Sequence, residues 1–304
     1  MVITSAPSTH TLSIIPFGHP LYRTQEVTKE ESDVRPFLAF SIPQIAPALQ
    51  ELKGRALAQI NWESLQERFN VRSDPSRQEA LAVEATKLAA ARVDQCYSMF
   101  NAAHHGSMAN YDIFGGVFLG AEKICVGEPV RIKLPREQQE QSLEEGMPVV
   151  MVVRRILISR DSKALMFEGS LWRLQHAALT QPGPNQGQGQ LPTAMLGEKE
   201  FRDGLLQESG WRVDWLLMNQ NMMVSESTIR GRFYETRRLT PILNPAKFQD
   251  MLRTRQVPDI QTSLNNRGDS NGPSAGRVPT RAYAVAGAVP PGIPASLGPD
   301  VVEA

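Results

Sequence analysis

Cys96, His104, His105 and Cys125 carry the side chains that could ligate a metal or supply a nucleophile. Structural zinc sites gather thiolates and imidazoles in compact C-x-x-C pairs. Here the two cysteines lie far apart, and the histidines sit together just before Gly106. They read instead as two buried thiols and a helix end. A cysteine nucleophile needs a histidine base, and no sequence signature couples these residues in that way. Gly187-x-Gly189 falls in a Gln-rich loop rather than between a strand and a helix, so it is not a dinucleotide fingerprint. P-loop, nucleophile-elbow, H-E-x-x-H and kinase motifs are lacking, and the carboxylates are scattered. The residues make no case for catalysis, a cofactor or a small-molecule substrate.

Binding chemistry has more to work with. Thr228 to Gln256 holds seven basic residues, Arg230, Arg232, Arg237, Arg238, Lys247, Arg253 and Arg255, against Glu235 and Asp250. Such a cluster suits phosphates, although a chain with 32 basic and 32 acidic residues makes an ordinary solvated edge the simpler reading. Trp172, Trp211, Trp215, Phe233 and Tyr234 could line a cage for a methylated lysine, but aromatics on strands more commonly pack in cores. Trp172 beside Arg173, and Tyr234 near Arg232, are the best candidates for exposure. Thr228 to Tyr234 alternates, with Ile229, Gly231 and Phe233 on one face and Arg230, Arg232 and Tyr234 on the other. Arg230 and Arg232 are therefore the first choice for contact residues.

These side chains need strands to position them. Val130 to Leu134 alternates apolar and charged residues, the pattern of a strand with one buried face, and Val126-Gly-Glu-Pro129 before it reads as a tight turn. Val149–Val153 with Ile156–Ile158 gives a second β segment. Ala164–Phe167 with Leu171–Trp172 gives a third after a polar turn at Ser159–Ser162. Their proximity predicts an antiparallel meander. Trp211 to Val224 ends strand-like. Thr180 to Gln190 cannot build a core, so residues 180–197 read as a flexible insertion. Glu198 to Gln207 suggests a short helix.

Residues 1–36 are rich in Ser, Thr, Pro and charge and are expected to be mostly irregular, with one short strand over Leu12–Phe17 limited by its prolines. Residues 37–110 read as a helical N-terminal segment. Gln44 to Phe69 is apolar at helical spacing, with Gly54 as a weak point and Asn61 as a restart. Ser76 with Glu79 forms a capping box for a long helix reaching about Phe100, striped by Leu81, Ala85, Leu88, Ala91, Gln95 and Met99. From Arg267 the chain is Gly, Pro, Ala and Ser, and residues 267–304 are expected to be a disordered tail. The paucity of cysteine fits a reducing compartment. The N-terminus has no convincing signal peptide, and no run reaches the length of a membrane span, so a soluble intracellular protein without membrane contact is expected.

Three segments taken together resemble a known family. They are Gly116-Val-Phe-Leu-Gly-Ala-Glu-Lys-Ile-Cys-Val-Gly-Glu-Pro-Val-Arg131, Glu226-Ser-Thr-Ile-Arg-Gly-Arg-Phe-Tyr-Glu-Thr236 with Pro241-Ile-Leu243, and Leu264-Asn-Asn-Arg-Gly-Asp269. In this order they resemble the fungal transcription-silencing family called cryptic loci regulator 2, over about residues 80 to 270. The resemblance implies a nuclear, non-catalytic subunit of a heterochromatin repressor complex that contains a histone deacetylase and a chromatin remodeller. It also implies a bromo-adjacent-homology-like β module. The fold class expected is thus α+β: a small antiparallel β module over 111–266, flanked by N-terminal helices. Its role is that of a protein-interaction and chromatin-docking scaffold, with a histone tail or DNA as further partners. The contact residues are Arg230, Arg232, Tyr234, Trp172 and Arg173. The alternative is a direct nucleic-acid-binding module using the basic segment 228–256.

Overall fold

A computed structural model describes residues 2–5, 10–15, 17–18, 26–34, 42–103, 110–134, 147–180, 191–206, 209–264, 276–289 and 302. In chain order the strands are β1 (Val2–Ser5), β2 (Thr11–Ile15), β3 (Val27–Glu30), β4 (Cys96–Ala102), β5 (Tyr111–Leu119), β6 (Glu122–Cys125), β7 (Pro129–Ile132), β8 (Val149–Ser159), β9 (Leu165–Ala178), β10 (Trp211–Ser225), β11 (Ile229–Arg232) and β12 (Gly276–Arg277). The helices are α1 (Trp62–Arg68), α2 (Pro75–Asp94), α3 (Thr193–Leu206), α4 (Thr236–Leu243), α5 (Pro245–Thr254) and α6 (Arg281–Ala284). The chain forms two compact units. One comprises Met1–Ala102, Val117–Lys123 and Gly268–Ala304, the other Ala103–Gly116 and Ile124–Arg267.

In the first unit, the apolar stripe of α2 behaves as its spacing requires. Leu81, Ala85, Leu88 and Ala91 are buried against Leu49, Leu57, Ile60, Trp62 and Leu65. The cap differs from expectation: the N-cap is Asp74, not Ser76, and its carboxylate accepts the Ser76 N–H at 2.9 Å, while Pro75 opens the helix where its missing donor costs nothing. The helix also stops at Asp94 rather than near Phe100. Cys96 to Phe100 is buried at five successive positions, which suits a strand covered on both faces and no helix with a wet side. Met99 fell on the helical stripe by spacing alone. Gln44 to Phe69 is likewise not one helix. It is 3-10 turns at Pro47–Leu52 and Leu57–Gln59, then α1, whose N-terminus is capped by Asn61 through the Ser64 N–H. Proline and glycine interrupt the backbone, while Ile45, Leu49, Leu52, Ile60 and Leu65 stay buried in one cluster, where Trp62 Nε1 donates to the Leu57 carbonyl at 3.0 Å.

Residues 1–36, expected mostly irregular, contain the antiparallel sheet β1-β2-β3. Part of the expected disordered tail is also ordered. β12 pairs in parallel with β4, and the Val278 N–H donates to the Tyr97 carbonyl at 2.8 Å. Arg281 donates to the Gly120 carbonyl at 2.6 Å and lies over the Phe118 ring. Small apolar residues, Val278, Ala284, Val285 and Ala288, supply the buried contacts that composition alone hid.

The second unit is the expected antiparallel assembly. β8 pairs with β9, and β9 with β10. β8 serves two further partners: Val150 to Val152 pairs with β7, and Ile156 to Ser159 pairs with β5. A register shift between Val153 and Arg155 divides the two halves. The turn before β7 is formed, with Glu128 N–H donating to the Cys125 carbonyl and Gly127 at φ +92°. β11 joins β7, matching Ile229 with Ile132 and Arg232 with Val130, so the two distant segments share one sheet. Of the expected flexible insertion 180–197, residues 181–190 lie outside the described residues. Residues 193–197 are the first turn and a half of α3, seated on β10 by the Trp215 Nε1 bond to the Met195 carbonyl at 2.8 Å. None of the described helices is long and apolar enough to cross a membrane.

Candidate interaction surface

Arg131 organises the junction of β7 and β11. The alternation of Val130–Leu134 predicts a solvent-facing arginine, yet Arg131 is 5% exposed. Its Nε donates to the Arg232 carbonyl at 2.9 Å, Nη2 to the Arg230 carbonyl at 3.2 Å and Nη1 to the Gln261 carbonyl at 3.4 Å. A buried guanidinium is tolerable only when its donors find acceptors, and the rigid fork reaches three at once. Gln261 continues the arrangement by donating to the Tyr234 carbonyl at 2.7 Å and accepting the Tyr234 N–H at 3.4 Å. Asp259 in turn caps this turn by accepting the Gln261 N–H. Burial pushes the Asp259 carboxyl up from its ordinary value, against the opposing pull of that N–H and of Arg202 and Arg131.

The main chain at 230, 232 and 234 is thus gripped from inside. The side chains of Arg230, Arg232 and Tyr234 are all half-buried, as the alternation requires, while Ile229, Gly231 and Phe233 are buried. Arg232 pairs with Glu128 at 2.9 Å, both about one-third exposed at 38% and 32%.

A buried ion pair supports the same segment. Glu198 and Arg202 stand one helical turn apart on α3, 1% and 3% exposed, 2.7 Å from each other. Glu198 caps α4 from outside, accepting the Thr236 N–H at 2.7 Å and its hydroxyl at 2.8 Å, where a carboxylate also favours the helix dipole. Arg202 donates to the Val257 carbonyl at 2.9 Å and the Pro258 carbonyl at 3.5 Å. Two buried arginines therefore strap residues 257–261. Sequence reasoning missed both; the Glu198–Arg202 spacing of four was the available signal.

Trp172 is not a surface residue. Leu171 and Trp172 are consecutive buried positions, so the inward face of β9 changes phase there, next to the β10 shift between Leu217 and Asn219. Trp172 packs with Val150, Leu174, Trp215 and Phe233, and its Nε1 donates to Ser170 Oγ at 2.9 Å. Trp215 meets Phe233 edge-on in that core, whereas Trp211 is 50% exposed, so the five aromatics do not converge on one cage. Arg173 remains half-buried with Gln175 within 3.5 Å. In the basic segment, Arg232 pairs with Glu128, Arg237 and Arg238 pair with Glu235, and Arg253 pairs with Asp250. His104 and His105 lie outside the described residues. Cys96 is a buried thiol bonded to the Val93 carbonyl, and no cluster of metal-ligating side chains occurs among the described residues.

Comparison with known proteins adds one family. Residues 113–235 match the sequence model of transcription-silencing protein Clr2. No curated protein matches the chain. A solved structure, described as Clr2 bound to the Clr1 C-terminus, is similar at 17% identity and a TM-score of 0.40. The similarity covers 66% of this chain and 41% of that one.

Proposed function

We propose, on the match of residues 113–235 to the model of transcription-silencing protein Clr2, that the chain is a non-catalytic, protein-interaction subunit of a nuclear heterochromatin-silencing assembly. Its second unit is the docking module, of bromo-adjacent-homology-like type. A histone deacetylase and a chromatin remodeller are the partners it brings to chromatin. The observation that carries this reading is the family match across the very strands whose backbone Arg131 holds. A main chain secured from within leaves Arg230, Arg232 and Tyr234 to meet a partner, and partners are gripped by a few such anchors.

The test is affinity purification of the tagged chain from its source, with identification of the proteins recovered. Silencing partners are expected with the native chain. Arg230→Glu combined with Arg232→Glu should lose them and weaken chromatin association. Because Arg232 pairs with Glu128, a second variant exchanges that pair, Glu128→Arg with Arg232→Glu. It should keep a cooperative unfolding transition, at a lower temperature because Glu128 also accepts the Cys125 N–H at 2.8 Å, yet still fail to recover partners. Full recovery with both variants would refute these contact residues.

Direct nucleic-acid binding through 228–256 is the weaker reading, because four of its arginines already face carboxylates and phosphate would have to displace them. Salt-sensitive retention of DNA or RNA on a filter would restore it.

A further inference from the structure

We propose that the outer side of β10, at Met222–Ser225, takes up an extended, uncharged segment of a partner protein as an added strand. The inference rests on the protein-interaction reading above and gives that partner a second contact. β10 stands at the end of the larger sheet, and among the described residues no strand pairs with its outer side.

Pairing with β9 fixes which backbone groups face outward. The Leu179 N–H donates to the Gly210 carbonyl at 3.1 Å, in step with Trp211 opposite Ala178. Bonding direction alternates along an antiparallel strand, so even-numbered residues of β10 bond to β9 as far as Leu216, and odd-numbered ones turn away. Val213 agrees. Its N–H donates to Asp203 Oδ1 at 2.7 Å, and its carbonyl accepts Lys199 Nζ at 2.6 Å. The Trp211 N–H donates to Ser209 Oγ at 3.3 Å. Side chains thus stand in for a neighbouring strand over Trp211–Val213. Farther on, β10 bulges between Leu217 and Met222, where Asn219 Oδ1 accepts the Asn221 N–H at 2.9 Å and Arg154 donates to Asn221 Oδ1. Past the bulge, Met222 lies opposite Gly169 and Val224 opposite Phe167. Gly169 and Phe167 are in step with Arg173 and Gln175 on β9, so Met222 and Val224 bond inward. Met223 and Ser225 then present their N–H and carbonyl groups to the outside.

Charge decides what the occupant is. Exposed edges are ordinarily blunted by lysine, proline or a bulge. α3 and the bulge shield Trp211–Val213 and Met218–Asn221, but from Leu216 to Ser225 the chain holds neither a charge nor a proline. Met223 is 41% exposed, and Met222 beside it is half-buried. The nearby Arg154 and Arg155 already meet Glu168 at 3.5 and 3.0 Å. Outward peptide groups in register select an extended backbone, and a charged segment would find no counter-charge there. A second copy is the poorer occupant. So short a ladder buries far less than the roughly 800 Å² per partner that holds two folded chains together. A segment tethered to a partner gripped at Arg230 and Arg232 has no such requirement.

Fluorescence anisotropy of a short capped peptide alternating valine and threonine, titrated with the full chain, tests this. One counterpart is N-methylated at every amide and another replaces threonine by glutamate. The plain peptide should bind, and each counterpart roughly tenfold more weakly. Met223→Pro removes an outward N–H and no bond to β9, so unfolding should stay cooperative while binding falls by about tenfold. Met223→Lys supplies the charge that ordinarily guards an edge and should produce a similar loss. No binding of the plain peptide, equal binding of the methylated one, or undiminished binding by Met223→Lys would overturn the proposal. So would light scattering that reads a dimer of the native chain and a monomer of Met223→Lys, which would give the edge to a second copy. Silencing partners still recovered in purification despite such a failure would sink this site and not the function proposed above.

Discussion

Arg131 shows how a single residue can be visible in a sequence and still be misjudged. It stands where a half-buried strand would place a charge in water, and the alternation around it is regular. What the sequence does not carry is that β11 and residues 260–261 arrive from far along the chain and offer carbonyls to it. Removing the guanidinium leaves those acceptors buried and unmet. Arg131→Met should lower stability by about 2–4 kcal/mol, read from the urea midpoint. Arg131→Lys should recover little, because an ammonium cannot span three acceptors. Asp259 gives a pH signature. Its folded-state pKa is raised by burial above the ordinary aspartate value of 3.8, so in that window the folded chain holds a proton that the unfolded chain releases. Its contribution to stability therefore declines as pH climbs from 3.8 through the folded value. Asp259→Asn keeps an acceptor for the Gln261 N–H and removes the titration. The gap between variant and native urea midpoints should widen in the variant's favour across that window; parallel curves would contradict the assignment. Trp172 fails from sequence for a different reason: the face of β9 changes phase at Leu171–Trp172, and period-two reading assumes an unbroken phase.

Among elements, long strands were legible and their neighbours less so. β8, β9 and β10 announce themselves by β-branched and aromatic runs between polar turns. β4 does not, because five consecutive buried positions carry no period and its methionine continues the preceding helical stripe. Near the N-terminus the strand expected over Leu12–Phe17 is β2, whereas β1 and β3 were hidden among serine, threonine and charge, and the ordered part of the C-terminal segment by proline, glycine and alanine content. Sheet pairing makes its own demand at Gly169, buried opposite Val153 on β8. A methyl group there would collide with the Val152 carbonyl oxygen, which belongs to a backbone fixed by pairing on both sides. Gly169→Ala should cost about 1–3 kcal/mol, measurable as a fall in melting temperature, and more if β8 is forced out of register.

For the whole molecule, the family match and the folding unit do not coincide. The match closes at residue 235, while the unit that holds most of it continues to Arg267. Carbonyls of Val257, Pro258 and Gln261 satisfy the two buried arginines, and Thr236 satisfies Glu198. A chain ended at residue 235 should therefore lose cooperative unfolding and be cut rapidly by protease, whereas one ended after Leu264 should keep this unit protected. Equal protease resistance of the two would show that residues 257–261 are dispensable. Net neutrality has its own consequence at this scale, since association must then depend on local groups rather than on a long-range field. The grip of Arg131 on carbonyls, not on side chains, bears on how such a surface diversifies. Peptide oxygens are the same whatever residue bears them, so the positions of Arg230 and Arg232 can exchange their outward chemistry without the framework noticing. Gly231, buried between them at φ +133°, cannot. Related chains should accordingly vary on either side of an unchanging glycine, each variant addressing a different partner from one inherited scaffold.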